Sequence, residues 1–184
     1  MKNLKYSIQF YTNWHCGSGQ AAGADVDALV IKDAQGLPFV PGKTIKGLVR
    51  EALAYTLSQE NKSKGMLTNI CGVFKDKDNC TKGSAFFTDA TLHEDEKNVI
   101  VKDNLAGFLY QSVSATAICN DGIAKDNSLR KTQTTVPCTL YGQIMNLEDD
   151  EAHEVERALM MIKRLGAGRT RGYGRCKISM EEKQ

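Results

Sequence analysis

The sequence predicts an α+β fold: a ferredoxin-like (RRM-like) core in which two β–α–β halves share one sheet. Three observations carry this. Apolar residues recur with strand period, then helix period, then strand period, and the same succession follows a long insertion. Each helical segment bears a single apolar stripe, so each covers one face of a sheet. The length of 184 residues suits one domain, 1–184, with insertions at about 61–83 and 93–136.

The elements follow in order. Leu4, Tyr6, Ile8 and Phe10 alternate with Lys5, Ser7, Gln9 and Tyr11, the pattern of a half-buried strand. Residues 13–25 are a glycine-bearing loop. Asp27–Lys32 reads as a short buried strand ended by a turn at Gly36, and Pro38 and Pro41 punctuate an extended connection. Ile45, Leu48, Val49, Ala52, Leu53 and Leu57 then form one helical stripe. Residues 61–83 read as a polar loop with an apolar patch, and Ser84–Leu92 as a strand. Residues 93–136 are irregular, with a protruding hairpin. Val136–Met145 alternates as a strand. Glu151–Leu165 is the second helix, acidic at its start and basic at its end, as the helix dipole favours. Gly172–Met180 closes the sheet, with both helices on one face.

Composition excludes several classes. A hydrophobic share of 41% excludes a disordered chain, and no run of 18 apolar residues offers a membrane span. Met1 to Gln9 alternates polar and apolar, which is no signal peptide, so a cytoplasmic location is expected. Lys and Arg number 24 against 22 acidic residues, a net charge of +2 that by itself marks no nucleic-acid protein. The distribution says more: Glu148–Glu151 is wholly acidic, whereas Lys163–Lys177 holds basic residues and no acid. Six cysteines (16, 71, 80, 119, 138, 176) form no CxxC pair and read as free thiols. The alternative, a zinc site from Cys71, Cys80 and a histidine, matches no zinc spacing.

Four segments carry candidate chemistry. Gly36–Thr44 looks like a P-loop but has five residues between its glycines instead of four, and Pro38 and Pro41 remove amide donors. A helix start with Lys43, Thr44 and Lys46 can still hold a phosphate, or be a solvated basic face. Gly166–Arg175 is the strongest signal: Gly166, Gly168, Gly172 and Gly174 are interleaved with Arg169, Arg171 and Arg175, an amide-rich loop with guanidinium forks suited to a sugar–phosphate backbone. Tyr173 is placed to stack on a base or to pack. In Asn13–Gln20, His15 is either a general base or a structural histidine. Asp25 and Asp27, at the entry to the second strand, either cap a loop or assist attack by a ribose hydroxyl with a divalent metal.

Taken together these segments resemble the RAMP superfamily of CRISPR-associated proteins. The match runs through His15-Cys16-Gly17-Ser18-Gly19, Asp27–Asp33 and Gly36-Leu37-Pro38-Phe39-Val40-Pro41-Gly42-Lys43-Thr44-Ile45-Lys46-Gly47-Leu48-Val49-Arg50. It continues through Cys71-Gly72-Val73 with Ser84–Ala90, and Leu165–Gly174. Within that superfamily the chain looks most like the repeated backbone subunit of type III (Csm/Cmr-like) effector complexes. The resemblance implies a ferredoxin-like core whose copies stack head to tail along a guide RNA, beside other CRISPR subunits. It makes Lys43, Thr44, Lys46, Arg50, Arg169 and Arg171 guide contacts. His15, Ser18, Gly166, Gly168, Gly172, Tyr173, Gly174 and Arg175 join them from the two glycine-bearing loops. Lys125, Arg130 and Lys131 join from a thumb hairpin that would displace a base of the guide–target duplex. It also makes Asp27, with Asp25 as fallback, the residue that cleaves target RNA with Mg²⁺. Two alternatives stay open: a guide-processing endoribonuclease using His15 without metal, and a non-catalytic RNA-binding subunit.

Overall fold

The computed structural model describes residues 1–23, 25–59, 64–74 and 80–181. Along the chain run β1 (Lys2–Phe10), α1 (Gly42–Gln59), α2 (Lys64–Cys71), β2 (Val73–Phe74), β3 (Cys80–Thr81) and β4 (Phe86–Phe87). Then come α3 (Glu94–Lys102), β5 (Tyr110–Ala115), β6 (Arg130–Thr135), β7 (Thr139–Leu147), α4 (Asp149–Met161) and β8 (Cys176–Met180). Single 3₁₀ turns cover Ala106–Leu109 and Arg169–Arg171.

The main sheet has the order β4-β7-β1-β8, antiparallel at every step. Alternation in β1 decides which face is buried: Ile8 lies between Leu140 and Ile178, and Tyr6 between Gly142 and Met180. The helices cover that face. α1 packs on α4 and β4, and α4 on β1 and β8. Ile45, Val49 and Leu53 of α1 meet Val155, Ala158 and Leu159 of α4 in one core.

Several boundaries move, each for a local reason. α4 begins at Asp149, ahead of the expected Glu151, because Glu148 and Glu151 form a reciprocal capping box. It ends at Met161, where Ile162 turns extended (ψ 108) and leads into an Arg164–Arg175 bridge. Of the expected strand Ser84–Leu92, Phe86–Phe87 alone is regular; Ala90 and Thr91 make single bridges to Val40 and Tyr141. The insertion 61–83 is not all loop. Its described part holds α2 and the β2–β3 pair, with a close approach where a Cβ on Gly72 would overlap the Thr81 carbonyl of β3 and a Cβ on Gly83 the Ile70 carbonyl of α2. Asp27–Lys32 stays outside the main sheet. It forms a ribbon bridged to Gly17, Thr132 and Pro38.

One core contact carries a stability prediction. The Tyr6 ring lies over Gly142, and a Cβ there would sit 2.5 Å from the Tyr6 hydroxyl oxygen. That hydroxyl is buried without a hydrogen-bond partner among the described residues, and burial pushes its pKa up. Tyr6→Phe should therefore raise stability by about 1 kcal/mol, since it removes an unpaired buried polar atom. Gly142→Ala should lower it by about 1–3 kcal/mol through overpacking. Thermal unfolding of both variants checks the opposite signs.

Candidate nucleic-acid interface

The basic glycine-rich loop is built by close backbone approach at its ends. Gly166 (φ 91) and Gly174 (φ 67) are left-handed, and a Cβ on them would run into the carbonyls of His15 and Leu165. The Ala167 N–H donates to the His15 carbonyl and the Gly174 N–H to the Asn13 carbonyl, each at 2.8 Å. These bonds clip the loop to residues 13–15. Between the clips, Gly168 and Gly172 flank the turn that carries Arg169 and Arg171, both exposed. Arg164 Nη1 donates to the Arg169 carbonyl and braces the turn. Tyr173 is half-buried against Gly168, so its ring packs on its own loop. Arg175 is exposed, and its N–H is held by Thr12 Oγ1.

The loop 13–18 supports that clip from beneath. His15 is 7% exposed, and its Nδ1 lies 2.6 Å from the Gln133 carbonyl, so Nδ1 carries a proton and donates it. Its imidazole faces the interior, where it ties the loop to β6. Cys16 lies beside Thr44 and Lys43, and burial pushes its thiol up despite both neighbours. The start of α1 thus adjoins the loop 13–18. Ser18 Oγ donates to the Leu29 carbonyl and accepts from the Gln20 N–H, both at 3.2 Å.

The helix start itself is already capped. The Gly42 N–H donates to Asp89 Oδ1 at 2.7 Å, so a carboxylate takes the place a phosphate would need. What α1 offers an anion is side chains: Lys43 is exposed, while Thr44 and Lys46 are half-buried. Arg50 is exposed but its Nη1 donates to the Gly72 carbonyl at 2.9 Å, which fastens α2 to α1. Asp89 had no role in the sequence reading. Its signal was its place in the Ser84–Ala90 block, but its target lies 47 residues away.

Asp27 belongs to a second cluster. It is exposed. Its N–H donates to the Lys131 carbonyl at 2.9 Å, and its Oδ2 accepts from the Lys131 N–H at 2.6 Å. Asp25, also exposed, donates its N–H to Ala22 inside a local turn. Asp27 is therefore the aspartate tied to the β5–β6 hairpin, which projects from the core. The hairpin is anchored again where the Tyr110 hydroxyl donates to the Gly36 carbonyl at 2.6 Å and Lys32 Nζ lies 3.9 Å from the Tyr110 ring centre. Its outer part carries exposed Lys125, Arg130 and Lys131. Its tip exposes Ile118, Ile123 and Leu129, each about two thirds or more. Among the described residues no group of three His, Cys, Asp or Glu side chains is placed to hold a metal, Cys71 and Cys80 included. Nor is any described helix long and apolar enough to cross a membrane.

This geometry defines a class: an α+β protein with an antiparallel sheet, a clipped basic glycine-rich loop and a projecting hairpin. The sequence profile of the RAMP superfamily matches residues 7–177, and the chain belongs to that superfamily. It is 26% identical over 200 aligned positions to the CRISPR system Cms endoribonuclease Csm3 of Streptococcus thermophilus, covering 97% of this chain and 87% of the relative. The fold is similar to that of a chain in the type III-B Cmr-beta complex bound to cognate target RNA, with TM-score 0.74 and 12% identity over 98% and 97% of the two chains. A chain of Cmr-beta in the apo state gives TM-score 0.71 at the same identity and coverage.

Proposed function

We propose that this chain is a repeated backbone subunit of a type III CRISPR effector complex that holds guide RNA by its sugar–phosphate backbone. The observation that carries this is the pair Arg169 and Arg171, held outward on a turn whose two ends are hydrogen-bonded to the loop 13–15. Planar guanidinium forks on a braced turn suit phosphate oxygens. The similarity to Csm3 supports the same reading. The sheet order, which in sequence terms runs second-third-first-fourth, supports a ferredoxin-like core. Copies would stack head to tail beside other CRISPR subunits, with the apolar hairpin tip separating bases of the guide–target duplex.

Target cleavage is part of the proposal. Asp27, or failing it Asp25, contributes one carboxylate. That set suits Mg²⁺ only in the mode in which one or two carboxylates share the ion with substrate phosphates and water. Bound there, the ion would stabilise charge on the phosphate as a ribose 2′-hydroxyl attacks it. The bond from the Lys131 N–H to Asp27 favours a second reading, in which Asp27 anchors the hairpin and the subunit does not cleave.

A titration of mixed-sequence single-stranded RNA across a salt series, with duplex DNA as control, tests the binding claim. Affinity for RNA that falls steeply with salt is expected; equal affinity for duplex DNA would sink it. Gly47 gives a second check. It is exposed in α1, four residues from Lys43, with nothing within 4 Å of a built Cβ. Gly47→Ala should stabilise the fold by about 1 kcal/mol. If RNA passes along this face of α1, the same substitution lowers RNA affinity. A gain in both would place the RNA elsewhere.

A further inference from the structure

The helices leave one face of the main sheet open. α1 and α4 pack on the side to which Tyr6 and Ile8 point. Alternation puts Lys5, Ser7 and Gln9 of β1 on the other side, and the strand register sets their neighbours. Ser7 stands between Tyr141 of β7 and Ser179 of β8, Lys5 faces Gln143, and Gln9 faces Lys177. Lys5, Gln9 and Lys177 are exposed, whereas Ser7, Tyr141, Gln143 and Ser179 are half-buried. Tyr141 is therefore the one large side chain of the middle row, and the serines beside it are too short to cover its ring. His93 holds that ring from another side, with 5.6 Å between ring centres and 73° between planes. A cavity of about 350 Å³ opens beside Tyr141, lined also by Lys5, Thr88 and Gln143. The Gln143 side-chain amide bonds no protein group among the described residues. Of the two acids at this cavity, Asp89 is bonded to the Gly42 N–H and Glu181 follows the end of β8.

We infer that this open sheet face is a second RNA surface, on which a single-stranded stretch stacks one base against Tyr141 between Lys5 and Lys177; the inference rests on the RNA-holding reading above. Charge selects the occupant. The outward positions of β1, β7 and β8 carry two lysines and no acid, which suits a polyanion. Polarity selects it again. A packed protein layer needs an apolar centre, and the centre of this face is Ser7, Ser179 and Gln9. An unpaired nucleotide needs a ring to stack on, an amide for its base edge and cations for the flanking phosphates, and Tyr141, Gln143 and the two lysines supply them. The face is also continuous with the glycine-rich loop. Arg175 ends that loop and precedes Lys177 by two residues, so both project from the same side of the strand. RNA leaving Arg169 and Arg171 thus meets Arg175, then Lys177, then the row that holds Tyr141. Stacking accepts any base, so the face adds affinity with little sequence preference.

The test uses the full chain and mixed-sequence single-stranded RNA carrying 5-iodouridine, photocrosslinked and mapped by mass spectrometry. A crosslink on Tyr141 is expected beside those on the glycine-rich loop. Tyr141→Ala should weaken RNA binding about tenfold, within the range that one stacked base contributes. Tyr141→Phe keeps the ring and should bind as the unsubstituted chain does. Lys5→Ala with Lys177→Ala should flatten the salt slope by about 1.4, at roughly 0.7 per phosphate contact, and should leave the melting temperature unchanged because both side chains are exposed. Crosslinks confined to 43–46 and 166–175, with full affinity in Tyr141→Ala, would overturn the sheet site and leave the RNA-holding reading intact. If the lysine pair instead abolishes self-association in sedimentation while RNA affinity and salt slope stay the same, the face is a contact between copies and the inference fails. RNA that does not bind the unsubstituted chain at all would overturn both readings.

Discussion

Replacing Arg169 and Arg171 together by alanine should weaken binding of single-stranded RNA by about 100-fold at low salt. Each guanidinium bonded to a phosphate contributes roughly 1.5 kcal/mol net, and two give about 3 kcal/mol. Removing two phosphate contacts should also flatten the slope of log affinity against log salt by about 1.4, at roughly 0.7 per contact on a single strand. The fold should be unaffected, because both side chains are exposed and make no ion pair among the described residues. Gly174→Ala is the contrasting case. There the backbone clip is broken, and the loss of binding comes with a lowered melting temperature. A salt titration and a melting curve on each variant separate the two causes. If Lys125→Ala with Lys131→Ala flattens the salt slope while the arginine pair leaves it unchanged, the RNA runs along the hairpin and the glycine-rich loop is structural only.

The features legible in the sequence are those encoded by local period. The β1 alternation and the α1 stripe sit where the pattern puts them, because residues one helical turn or one pleat apart already decide which face is buried. The clustered arginines in Gly166–Arg175 are likewise visible in one segment. What stayed hidden depends on residues far apart in sequence. The four glycines of that loop look equivalent, yet Gly166 and Gly174 are required by the backbone of His15 and Leu165, whereas a Cβ on Gly172 meets nothing. Lys43 and Arg50 both read as cations for RNA. Gly72 occupies the second and nothing in the local pattern of α1 reveals it. Asp89 carried no assigned role within the Ser84–Ala90 block, because the Gly42 N–H that it caps lies 47 residues away. Asp27–Lys32 has strand composition but lies outside the main sheet, because its partners come from the loop at Gly17 and from the hairpin at Thr132.

Asp27→Asn and Asp27→Ala should differ in fold stability and agree in cleavage. On guide-paired target RNA with Mg²⁺, either substitution removes the carboxylate that would assist the 2′-hydroxyl or place the ion. Cleavage is then expected to fall by about 10²–10⁴-fold, the usual weight of a positioned acid–base group. Guide binding through Arg169, Arg171 and the start of α1 should be unchanged, since those side chains lie on other segments than Asp27 and its hairpin partner Lys131. The hairpin anchor responds differently. Asparagine retains an oxygen that can accept from the Lys131 N–H, while alanine leaves that donor without its partner and should cost about 1–2 kcal/mol. The backbone bond from the Asp27 N–H to the Lys131 carbonyl persists in both, so the hairpin loosens without detaching. Asp25→Asn serves as the reference, because the bond that holds Asp25 comes from its backbone. Loss of cleavage in Asp25→Asn with retention in Asp27→Asn would move the assignment by two residues. An unsubstituted protein that binds guide-paired target and cuts it with no divalent metal present or added would remove Mg²⁺ from the account. One that never cuts would leave Asp27 as an anchor alone. Asparagine alters the charge and spares the acceptor, so the gap between the two variants measures anchoring, and what they lose in common measures chemistry.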